Sequence, residues 1–148
     1  MALHTILARM GDHLADVSGM KGVYGPHSGT DTRVMPQSVD DWPIAIIWPD
    51  AGALQPGNGP EPFLHTVEAR VWANASNPAY AFQTLYSFLE PVRVAFRSDL
   101  TLAGACTRCV FLGYDPLEVD DAHGKPFFVL PLLFEVLEHT ATTAYSAT

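Results

Sequence analysis

The chain has 148 residues, 48% of them hydrophobic and 16% charged, which excludes a disordered chain and is enough for one domain with a sizeable core. Its formal net charge is −8, and its eight basic residues, Arg9, Lys21, Arg33, Arg70, Arg93, Arg97, Arg108 and Lys125, form no block. That excludes a protein gripping nucleic acid phosphates through a basic patch, and the low charged fraction points to surface covered in an assembly.

Residues 1–20 read as an amphipathic helix, with Leu3, Ile6, Leu7, Met10, Leu14 and Val17 on one stripe and Gly19 and Gly22 as stop signals. Arg9, Asp12, His13 and Asp16 interrupt any apolar core, so no signal peptide is expected. Residues 23–41 are rich in Gly, Pro, Ser and Asp and read as a loop, with a short extended piece near residues 33–36. "WPIAIIWP", residues 42–49, is β-branched and bounded by prolines, as a buried strand should be. Residues 50–63 form a Gly/Pro linker. Beyond it Val67, Ala69 and Val71 alternate with Thr66, Glu68 and Arg70, the period of a half-buried strand. The two strands predict an antiparallel hairpin with a long, protruding loop.

Asn77 is a good N-cap and Pro78 fits the first turn of a second helix. Phe82, Leu85, Tyr86, Leu89, Val92 and Phe96 form its predicted apolar stripe, and Pro91 is expected to kink or restart it. A strand follows, entered through Gly104 and containing both cysteines, then an acidic turn, "EVDDAHGK". The last strand is "GKPFFVLPLLFEVLEH", the most apolar run of the chain. It is too short for a spanning helix, which needs about 20 apolar residues, and it contains Pro131. A soluble protein is expected. Phe128, Leu130, Leu132, Phe134 and Val136 share its core face. Phe127, Val129 and Leu133 share the other, which a loop or another subunit should cover. Residues 139–148 read as a flexible polar tail.

Chemistry is thinly represented. Cys106 and Cys109 form a single C-x-x-C without the second pair of a zinc site. In a strand their Cα atoms would lie roughly 10 Å apart, beyond the reach of about 7 Å that a disulfide has. Two ordinary thiols are expected. The six histidines, at 4, 13, 27, 65, 123 and 139, have no metalloprotease spacing. "DPLEVDDAHG" departs from the calcium-loop order. Ser28 beside His27 has no placed acid. Neither a phosphate loop nor a nucleophile elbow occurs. No enzyme activity, cofactor or metal is expected.

The order of these elements carries a resemblance. A short amphipathic helix leads to the hairpin "WPIAIIWPDAG…HTVEARVWA". The helix "NPAYAFQTLYSFLEPVRVAF", the stretch "SDLTLAGACTRCVFLGYDPLEV" and the closing strand "GKPFFVLPLLFEVLEHT" follow. Over nearly its whole length this layout resembles the tail terminator, or tail completion, proteins of long-tailed bacteriophages. The resemblance implies a small α/β protein of the virion, assembled in the host cytoplasm. It would form a ring, usually a hexamer, at the head-proximal end of the tail. That ring would end polymerisation of the tube protein and meet a head-completion or neck protein. DNA would pass through its lumen without specific binding, and no membrane would be involved. Residues 23–41 and 50–63 match no family motif, so which surface meets the tube and which the neck stays open.

The expected fold is one α+β domain over residues 1–148, a mainly antiparallel sheet of about four strands with two helices packed on one face. The candidate subunit and tube contacts are Trp48, Leu54, Phe63, Phe127 and Val129, with plain core or loop packing as the alternative for each. Two other assignments compete with the terminator. One is another head–tail connector, neck or minor tail or baseplate protein. The other is a small ligand- or metal-binding domain using His65, Cys106, Cys109 or the Asp120–Asp121 turn.

Overall fold

The structure is a computed structural model and describes residues 2–26, 41–54, 62–122 and 124–138. The expected extended piece near residues 33–36, the middle of the hairpin loop and the tail at 139–148 lie outside those residues. Helix α1 (Ala2–Ala15) presents Ile6, Leu7, Met10 and Leu14, all buried, as its periodicity requires. The helix ends at Ala15, five residues earlier than the sequence suggests, with Val17 still buried beyond it, and the chain turns through Gly19 at φ +93°, a conformation open to glycine at little cost. It then enters β1 (Gly22–Tyr24), which pairs parallel with β2 (Ile44–Leu54).

β2 and β3 (Phe63–Asn74) form the expected antiparallel hairpin, but the strands run further than the Gly/Pro composition implies. Asp50 is bulged out between Pro49 and Ala51, and after it Ala51 to Leu54 resume pairing with Thr66 to Phe63. The loop is shortened accordingly.

The second predicted helix is two: α2 (Pro78–Ser87) and α3 (Leu89–Arg97). Asn77 caps α2 by accepting the Tyr80 N–H at 3.3 Å. In a continuous helix Pro91 would have to donate to the Ser87 carbonyl and has no N–H to do it, so the chain breaks at Phe88. The buried stripe keeps helical spacing across the break, from Ala81 and Leu85 through Phe88 to Val92 and Phe96, and Phe82 lies to one side of it. Leu85, Phe88, Val92 and Phe96 are buried, whereas Phe82, predicted to face the core, is 51% exposed.

β4 (Arg108–Tyr114) starts later than expected, so Cys106 lies in the preceding turn and only Cys109 in the strand. The acidic stretch read as a turn contains β5 (Glu118–Ala122), which pairs antiparallel with the start of β6 (Lys125–Leu137). The sheet therefore has six strands rather than about four, in the order β1-β2-β3-β6-β4 with β5 also on β6, and all pairs but β1–β2 are antiparallel.

All three helices pack on one face of this sheet. Their buried side chains join Ala45, Ile47, Val67, Ala69, Val71, Leu130, Leu132, Phe134 and Val136 in the main core. Phe134, fully buried, meets Phe96 at 4.6 Å and Phe111 at 5.2 Å between ring centres. Burying such a side chain stabilises by about 1.5–3 kcal/mol. Ile44, Ile46, Trp72, Ala122, Phe127 and Val129 make a second, smaller core on the other face, with Tyr24 and Trp42 against it.

Candidate assembly surface

The far end of the β2–β3 hairpin is where exposed apolar side chains and a tight polar contact meet. Leu54 and Phe63 pair across the strands and are 49% and 42% exposed. Phe63 stacks on His65, with ring centres 5.5 Å apart and planes 13° apart. His65 is buried and its Nε2 lies 2.6 Å from the Glu138 carboxylate, while the Glu138 N–H donates to the Phe63 carbonyl at 2.8 Å. Gly52 sits opposite His65, where a Cβ would come within 3.0 Å of Nδ1. The hairpin end is thus clasped to the end of β6, with Leu54 and Phe63 held outward on a firm support.

Trp48 stands in one row with Glu68 and Leu133 on the face away from the helices, and is half-buried. In the next row Arg70 reaches Glu118 at 2.6 Å and lies 3.5 Å from Glu68. Phe127 and Val129 do not look outward as expected. They are 2% and 0% exposed, covered within the chain itself, with Trp42 4.7 Å from Phe127 between ring centres. β5, on a stretch read as an acidic turn, and Trp42, at the start of the predicted buried strand, supply a second apolar layer over this side of β6. Of the five candidate residues, the structure brings Leu54 and Phe63 together, leaves Trp48 apart on the sheet face and places Phe127 and Val129 in a core.

Apolar surface that sequence patterning missed lies on the β4 side. Phe82 packs on Tyr86 at 4.5 Å and Tyr86 edge-on to Tyr114 at 5.4 Å, and Leu112 and Tyr114 are 56% and 49% exposed. The Leu112-Gly113-Tyr114 stretch carried a signal in its glycine: Gly113 has φ +135° beside a bulge at Leu112, which turns these side chains out. Beside β4, Arg93, Arg97, Phe96, Leu100, Val110 and Phe111 line a groove of about 310 Å³. Arg93 is chelated by Glu90, which holds the carboxyl below its ordinary range through that hydrogen bond.

The turn before β4 is built from its own side chains. Asp99 accepts the Ala103 N–H at 2.9 Å and faces His13 Nε2 at 2.9 Å, tying α1 to this turn. The Ala103 hydrogen bond first, and His13 next, hold the Asp99 carboxyl below its ordinary range. Leu102 and Ala103 both adopt positive φ, at 51° and 56°, which a non-glycine residue keeps only under such constraint. Cys106 and Cys109 are free and buried; burial pushes the Cys106 thiol up to about 11 and raises Cys109 as well. Neither is a ready nucleophile. Among the described residues no group of three or more His, Cys, Asp or Glu is placed to hold a metal, and no helix is long and apolar enough to cross a membrane.

No family model matches the chain, and no curated protein matches it. Among solved structures, a chain from the virion of a native gene transfer agent particle is similar, with a TM-score of 0.39 and 10% identity over 93% of this chain and 92% of that one. A likeness that loose does not bear on function.

Proposed function

We propose that this chain is a structural virion protein that closes into a ring, a hexamer, on the head-proximal end of a phage tail tube. It acts by binding rather than catalysis: one face of the ring ends tube polymerisation and the other receives the neck protein. What supports this reading is the element order, α1, the β2–β3 hairpin, the α2–α3 pair, β4 and the long closing strand β6, at the sequence positions that carry the resemblance to tail terminators. Leu54 and Phe63, exposed on the braced end of the hairpin, are the contacts we assign to the tube or to a neighbouring subunit. The net charge of −8 would keep DNA from sticking to the lumen as it passes.

Light scattering over a concentration series, with negative-stain images, and pelleting with purified tail tubes test the reading together. Closed rings, or protein capping one end of the tubes, are the expected results. Protein that neither closes into rings nor binds a tube end would overturn it.

A further inference from the structure

The braced end of the β2–β3 hairpin has a counterpart beside β4. Leu54 and Phe63 project from the hairpin end, 49% and 42% exposed. Their backbone is pinned by the His65–Glu138 contact and by the Glu138 N–H on the Phe63 carbonyl. A projection already held in shape loses little freedom on binding. The counterpart is the groove of about 310 Å³ between α3 and β4. Phe96, Leu100, Val110 and Phe111 form its apolar part, with Leu100 45% exposed, and Arg93 and Arg97, both exposed, line it with them. A volume of this size is at the bottom of the range for small-molecule sites and suits one or two apolar side chains. Charge singles out this groove over the Phe82, Tyr86 and Tyr114 surface, which is aromatic and carries no cation. Arg93 is chelated by Glu90, but Arg97 makes no ion pair among the described residues. Residues 49–69 hold no Lys or Arg, and Glu138 brings a carboxylate to the hairpin end. An apolar projection beside a carboxylate thus matches an apolar groove with an unpaired cation.

Within one chain β6 stands between the hairpin and β4, so the match is left for a second copy. Projection and groove lie near the same end of the sheet. Leu64, Leu137 and Arg108 form one row, with Phe63 one residue beyond it on β3 and Val110 two residues inside it on β4. A contact between unlike surfaces repeats from copy to copy, and it closes into a ring when successive copies are related by rotation alone. For copies set side by side with their strands aligned, surfaces this close to one row need little displacement along the strands, as closure requires.

We propose that Leu54 and Phe63 of one copy seat in the α3–β4 groove of the next copy, with Arg97 facing the carboxylate at the hairpin end. This rests on the ring reading and names the surface that receives the hairpin. The test mixes two full-length single variants, Ala53→Cys and Leu100→Cys, and treats the mixture with a short bismaleimide. Both positions are exposed, Cys106 and Cys109 are buried, and the parent protein sets the background. Linked dimers from the mixture, and none from either variant alone, are the expected result. Dimers from one variant alone would mean that like surfaces meet, and would overturn the proposal. Assembly by light scattering without mixed dimers would overturn this contact while leaving the ring reading standing. Mixed dimers from particles that negative stain shows to be open chains would uphold the contact and overturn the ring reading. Labelling of Leu100→Cys with a maleimide dye tests whether the chain's own residues fill the groove. It should be fast in dilute protein and slower by at least about tenfold once copies assemble, as a contact that excludes water requires. Slow labelling in dilute monomer would overturn the proposal, as would monomer with no mixed dimer at any concentration. Arg97→Glu is an independent check, because this exposed side chain can change sign with the melting curve kept close to the parent's. It sets a carboxylate against the Glu138 end and should weaken assembly by at least about tenfold. Unchanged assembly in this variant would also overturn the proposal.

Discussion

Asp99 does more for this fold than its partly exposed position suggests. One carboxylate satisfies the Ala103 N–H inside a turn of two positive-φ residues and meets His13 on α1. Asp99→Ala should destabilise the protein by about 1–2 kcal/mol, the usual range for a lost charge-assisted backbone contact at a partly exposed site. Its carboxyl is depressed in the folded state, so this contribution is present above the ordinary value of 3.8 and lost as pH falls through the lower folded value. Urea melts should therefore separate the variant from the parent at pH 7 and bring them together near the acid end. The cysteines behave in the opposite sense. Cys106 is raised from 9.0 to about 11, so the stability tied to its neutral thiol is complete below pH 9 and is lost as pH climbs toward 11. A thiol reagent at pH 8 should label neither cysteine in the native protein and both after unfolding. Rapid native labelling would mean that the turn before β4 opens readily.

At the scale of elements, the stability of α2 is set at its start. Asn77→Ala removes the acceptor for the Tyr80 N–H and should cost about 1 kcal/mol in a thermal melt. This cap, with Pro78 behind it, was legible in the sequence because capping is local chemistry. The α1 stripe and the alternation of β3 were legible for the same reason. What escaped were features fixed by distant partners. β5 is acidic and poor in strand formers, and it is a strand because β6 offers it an edge from Lys125 to Val129. Phe82 is at helical spacing from Leu85 and Tyr86, yet the stripe that the sheet covers runs through Ala81, Leu85, Phe88, Val92 and Phe96 and leaves Phe82 beside it, 51% exposed. The acidic turn before β6 and the Gly/Pro linker were both read from composition, and in both places pairing across the sheet overrode it.

For the whole molecule, the question is which apolar residues serve the fold and which serve other molecules. Phe127 and Phe63 separate the two roles. Both are aromatic and both were candidates for contact. Phe127 touches Trp42 and Trp72 in the second core and is 2% exposed, whereas Phe63 is 42% exposed above His65. Phe127→Ala should cost about 3–5 kcal/mol, the range for emptying a packed aromatic site. Phe63→Glu leaves the His65–Glu138 contact in place, faces solvent, and should change stability by no more than about 0.5 kcal/mol. A denaturant series on the two variants, followed by light scattering on whatever stays folded, resolves the roles. A loss of assembly in Phe63→Glu with an unchanged midpoint places the hairpin end in a contact between molecules. Unchanged assembly and an unchanged midpoint would remove Phe63 from the interface. A large drop in midpoint would instead show that Phe63 supports the clasp between the hairpin and β6.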